Sequence, residues 1–114
     1  MVLYGRGSAT YRLVEHYLTR LRIPLRDPIE LPDIGAIKEL VKLGLGVSVT
    51  SDWVVRPEVA HKSLALVPPP VGRLKRKWCV AMLANRPPSI AEQTLLGLCQ
   101  DVAGQLVPRN TPRG

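Results

Sequence analysis

Residues able to do chemistry gather in this 114-residue chain at three short corners. Gly5-Arg6-Gly7-Ser8-Ala9-Thr10 sets a guanidinium and two hydroxyls where an apolar stretch gives way to a helical pattern. Leu31-Pro32-Asp33 and Thr50-Ser51-Asp52 mark two further places where an extended segment passes into a helix or turn. Open parallel α/β sheets bind ligands beyond the carboxyl ends of their strands. A helix N-terminus there offers unpaired N–H groups and a dipole that favours an anion. Ser8 and Thr10 would supply hydroxyl donors and Arg6 charge, an arrangement suited to a small carboxylate or similar polar molecule. Ser8 and Asp33 are equally suited to act only as helix caps, and both readings stand.

Catalytic chemistry finds little support. His16 falls on the polar face of a helical pattern and His61 in a polar loop, neither with a Cys, Ser or carboxylate partner at a diagnostic spacing. There is no HExxH, CxxC or Walker loop, and Gly5-Arg6-Gly7 lacks the third glycine of a dinucleotide fingerprint. No cofactor or metal is expected. Cys79 and Cys99 sit in apolar contexts and read as reduced core residues of a cytoplasmic protein.

The elements that must position these corners centre on Ile29–Ser51, read as strand, turn, amphipathic helix, glycine stop and strand. Ahead of it, the pattern predicts a strand at Val2–Gly5, Ser8 as N-cap, and a helix over Ala9–Arg22 with Tyr11, Val14, Tyr17, Leu18 and Leu21 on its buried side. Pro24 prevents continuation. Asp33 caps a second helix with Ile34, Ile37, Leu40 and Val41 inward, and Gly44 takes the left-handed stop. Val47–Thr50 then reads as a third strand, giving β-α-β-α-β with helical crossovers between parallel strands. A helical turn at Trp53–Arg56, a strand at Leu64–Val67 and a doubly buried strand at Trp78–Ala84 follow. Ser89-Ile90-Ala91-Glu92 is a capping box, which places the last helix at Ile90–Leu106 with Leu95, Leu98, Cys99, Val102 and Leu106 as its apolar stripe. Pro108–Gly114 reads as a disordered polar tail.

The apolar fraction of 46% is ample for a core, one low in aromatics and without Phe. No apolar run reaches the roughly 20 residues that a membrane span needs, and the first residues carry no export pattern. The net charge of +7 raises nucleic-acid binding as a possibility, but the sixteen basic residues are scattered. The dense cluster Arg73-Leu74-Lys75-Arg76-Lys77 reads either as a solvated loop or as a phosphate-contacting patch.

The run Ile29-Glu30-Leu31…Ala36-Ile37-Lys38…Val41-Lys42…Gly44-Leu45-Gly46-Val47 resembles the C-terminal effector-binding domain of LysR-type transcriptional regulators. Tyr4…Arg6-Gly7-Ser8, Leu64…Leu66-Val67 and Ser89…Ala91-Glu92 extend the similarity over about residues 2 to 106. The resemblance implies an α/β, three-layer αβα subdomain with a mostly parallel sheet, similar to type 2 periplasmic binding proteins. Residues 2–73 would form the second effector subdomain. Residues 74–107 would supply a crossover strand and helix to the first. It also implies effector contacts at Ser8, Thr10, Pro32, Asp33 and Thr50, a homodimer formed in part through the Ala9–Arg22 helix, and no enzymatic activity. DNA would be contacted only through a winged helix-turn-helix that this chain does not contain. Alternatives are a solute-binding protein of the same fold, an enzyme on the same scaffold, and a nucleic-acid-binding fragment acting through residues 73–77.

Overall fold

A computed structural model describes residues 1–106; the tail expected at Pro108–Gly114 lies outside them. The chain divides into two units, Met1–Lys75 and a second beginning at Arg76.

In the first unit, β1 (Val2–Tyr4) leads into α1 (Ala9–Arg20), β2 (Ile29–Leu31) and α2 (Ile34–Lys42). The strands pair in parallel, Val2 with Ile29, Leu3 with Glu30 and Tyr4 with Leu31. Successive strand residues face opposite sides of a sheet, so β1 can bury both Val2 and Leu3 only if each face is covered. Leu3 joins Tyr11, Val14 and Leu18 of α1 in one buried cluster. Both α1 and α2 pack on β1, and Ile37 of α2 is 2% exposed. This is an α/β arrangement of helices around a small parallel sheet.

All three helices of this unit stop in the same way. At the end of α2, Gly44 (φ 76°) donates to the Val41 carbonyl and Leu45 to that of Leu40, a full Schellman motif. At α1, Arg22 (φ 57°) donates to Thr19 and Ile23 to Leu18. This stop closes the helix at Arg20, two residues short of the expected Arg22. The third stop follows a 3-10 turn (Asp52–Val54) and α3 (Arg56–Ala60), where Lys62 (φ 57°) donates to Val59 and Ser63 to Glu58. The expected helical turn at Trp53–Arg56 is thus a 3-10 turn passing into a short helix, and α3 takes in part of what read as a polar loop.

Three expected strands are absent among the described residues. Val47–Thr50 lies beside β1, where Gly46 lets it approach: a Cβ there would meet Val2 Cγ2 at 3.3 Å. One backbone bond joins the segment to β1, Val2 N–H to the Val47 carbonyl at 2.9 Å, too little for a ladder. Leu64–Val67 leaves the α3 stop with Leu64 N–H on the Glu58 carbonyl, and Leu66 and Val67 are exposed. Further on, the Tyr17 hydroxyl donates to the Val71 carbonyl at 2.8 Å, holding the chain after the prolines against α1.

In the second unit, Trp78–Ala84 forms no strand and is exposed throughout, because no neighbouring strand supplies partners for its N–H and C=O groups. The capping box does form: Ser89 N–H donates to Glu92 Oε2 at 2.6 Å and Glu92 N–H to Ser89 Oγ at 3.3 Å, opening α4 (Ile90–Leu106). Arg86 pairs with the same Glu92 carboxylate. From Arg76 to Leu106 no residue is buried, and Leu95, Leu98 and Val102 of the expected apolar stripe are exposed. Cys79 and Cys99 are exposed and unbridged, a correction to their reading as core residues. No helix among the described residues is long and apolar enough to cross a membrane.

Candidate functional site

The β1–β2 register builds the site. Because Tyr4 stands opposite Leu31, the residues that leave each strand, Gly5–Ser8 and Pro32-Asp33, emerge side by side at one edge of the sheet. Each corner then opens a capped helix. Ser8 is extended, and its Oγ accepts the Tyr11 N–H at 3.0 Å. Asp33 is likewise extended, and its Oδ1 accepts the Ala36 N–H at 3.0 Å. These bonds use one orphan donor of each helix start and leave others in the first turn directed along the axis. Ser8 and Asp33 are therefore caps, as their residue types allowed.

Of the other candidates, Thr10 is half-buried in the first turn of α1 and Pro32 is exposed beside Asp33. Thr50 is half-buried at the end of the segment that Val47 ties to β1. No ladder extends from that bond to Thr50, so the third corner is not fixed to the other two as they are to each other.

Arg6 occupies a position that the sequence did not disclose. Its N–H donates to Glu30 Oε2 at 3.0 Å and its Nε to Glu30 Oε1 at 2.7 Å, so one carboxylate receives both a backbone and a guanidinium donor. The Arg6 hydrogen bonds, side chain first and backbone second, hold the Glu30 carboxyl below the usual carboxylate range. The same side-chain bond raises the Arg6 guanidinium above its ordinary value. Glu30 is thus the site residue that sequence reading missed. The available signal was an acidic side chain in an otherwise apolar strand, Ile29-Glu30-Leu31, but its meaning depends on a register that local pattern does not give.

Nearby, Arg12 Nη2 reaches the Gly7 carbonyl at 3.4 Å, closing the back of the first corner. A second tie, Lys38 Nζ to Glu58 Oε1 at 2.6 Å, fastens α2 to α3, and that bond is the main cause of a lowered Glu58 carboxyl. No group of three or more His, Cys, Asp and Glu side chains able to hold a metal occurs among the described residues. His16 and His61 are exposed and apart from the corners. The arrangement sets two capped helix N-termini and the Arg6–Glu30 pair at one sheet edge.

Comparison with known proteins identifies the family. The family model described as the LysR substrate binding domain matches residues 1–104. The HTH-type transcriptional activator CmpR of a Synechocystis species is 27% identical over 96 residues, 84% of this chain. The chain spans about a third of that relative's length, 32%. No solved structure matches. With its match covering nearly all of the chain, this protein belongs to the LysR substrate-binding domain family.

Proposed function

We propose that the chain is the effector-sensing part of a LysR-family transcriptional regulator, binding a small polar molecule at the β1–α1 and β2–α2 corners. The observation that carries this reading is the parallel register, which brings two capped helix N-termini to one sheet edge. Thr10, Pro32 and Asp33 would line the ligand there with Arg6 and Ser8, and Thr50 would close the third side. The regulatory role draws on the family match and on the relative's name as a transcriptional activator. In this reading the chain senses rather than catalyses, works in the cytoplasm, and reaches DNA through a winged helix-turn-helix outside its own 114 residues.

Residues 2–73 form one effector subdomain in this reading, and residues 74–107 a segment given to another. The change of unit at Lys75 supports that division. Exposed Leu95, Leu98 and Val102 support a further element of it, a homodimer, since apolar faces of this kind seek cover.

A thermal-shift screen of small carboxylates, aromatic acids and their neutral amides tests the sensing role. A ligand at a hundred times its Kd adds about 2.7 kcal/mol to the folded state, a readily measured rise in Tm. Thr10→Val should weaken that ligand. Absence of any shift across the screen refutes effector binding by this chain. Light scattering that finds only monomer at high concentration refutes the dimer.

A further inference from the structure

We propose that Glu30 sets the charge specificity of the corner. Its carboxylate fills the two-donor cradle of Arg6, so a ligand carboxylate gains those donors only by taking Glu30's place. The inference rests on the effector-binding reading above and names the chemistry of that site.

A backbone N–H and a guanidinium Nε–H that converge on one carboxylate make a charge-assisted pair of hydrogen bonds. Arg6 presents that pair, and the group received comes from a strand 24 positions away in sequence. The Leu3–Glu30 register places Glu30 beside the first corner, where its Oε2 is in ordinary contact range, 4.0 Å, of the position a Cβ on Gly5 would take. With the Arg6 N–H and Nε–H taken by Glu30, an incoming anion at this edge meets two carboxylates, Glu30 and Asp33, beside the terminal guanidinium nitrogens. Arg12 is turned onto the Gly7 carbonyl behind the loop.

The side chains of the pair are 72% and 33% exposed, Arg6 and Glu30 in that order. Pairs this open to solvent are screened and individually weak. Glu30 is therefore an exchangeable occupant, not a permanent lock. A carboxylate that brings enough additional contact can displace it, whereas a simple monoanion gains little.

Benzoate titration of the nitrogen-labelled 114-residue chain, followed at the Arg6 backbone amide by NMR, tests this. Glu30→Gln should bind benzoate about five- to tenfold more tightly than the unaltered chain, from release of the competitor and loss of like-charge repulsion. Adding Arg6→Gln should erase the gain, and neutral benzamide should show none. Glu30→Ala serves the same purpose should the glutamine variant fold poorly. Equal benzoate affinity with and without Glu30 overturns the inference, as do absence of benzoate binding by the variant, a gain that survives Arg6→Gln, and an equal gain for benzamide. A positive thermal-shift screen beside a negative Glu30 result removes this inference alone. A gain in the Glu30 variant beside a failed screen removes only the effector reading.

Discussion

The helix stops of the first unit make a quantitative prediction about Arg22. Its φ of 57° places a residue with a Cβ where the Schellman geometry favours glycine. The left-handed conformation costs an L-residue roughly 1–2 kcal/mol. Glycine avoids that cost but gives back about 0.5–1 kcal/mol through the greater freedom of its unfolded chain. The arginine charge beside a helix C-terminus contributes about 0.3–1 kcal/mol, which any neutral replacement loses. Arg22→Ala therefore provides the reference, since it loses the charge and keeps the strained backbone. Arg22→Gly should exceed Arg22→Ala by about 1 kcal/mol in urea unfolding, with an unchanged denaturant slope. Gly44→Ala supplies the converse. A Cβ at Gly44 would meet no atom within 4 Å, so its cost is one of conformation alone, about 1 kcal/mol of destabilisation. Should Arg22→Gly prove no more stable than Arg22→Ala, the left-handed stop at α1 is wrong.

Two other outcomes test the core and the last helix. Ile37→Ala should cost about 2–5 kcal/mol, because Ile37 is almost wholly buried on α2; a loss below 1 kcal/mol in urea unfolding would show that α2 does not seal its face of β1. The Glu92 carboxyl is held below the ordinary glutamate range, first by Arg86 and then by the Ser89 N–H and hydroxyl. A lowered folded value stabilises the fold above the unfolded value, about 4.3, and that stability is lost as the pH falls through the lower folded value. Circular dichroism of the Glu92→Gln chain should therefore show a smaller acid-induced loss of helix than the unaltered chain, and superimposable profiles would refute the role of the capping box.

Helices were legible because their determinants are local. Ser8, Asp33 and the Ser89–Glu92 box each announce a helix start within four residues, and all three cap as their types require. The apolar spacing of Tyr11, Val14 and Leu18 likewise identified the buried face of α1. Strands were less legible, because a strand exists only where a neighbour completes its hydrogen bonds. Val47–Thr50 and Trp78–Ala84 have strand composition, yet the first shares one bond with β1 and the second has no ladder. The stops at Arg22 and Lys62 are not legible in the sequence for another reason. Glycine, and less often Asn or Asp, advertises a left-handed residue, and both positions carry long cationic side chains instead.

The same distinction governs the candidate site. Ser8 and Asp33 could be placed from sequence because a cap is a contact between near neighbours, at positions three apart. The Arg6–Glu30 pair joins residues 24 apart, and it follows from the register that sets Leu3 against Glu30. A slip of one residue would turn Glu30 to the other face of the sheet and leave the Arg6 donors to solvent. The electrostatic character of the corner therefore depends on strand pairing as much as on the residues in it. Read without the pairing, Arg6 makes the corner cationic; with it, Glu30 accepts from the Arg6 N–H and Nε–H, and the proposed preference for ligands that can exchange with a carboxylate rests on that register.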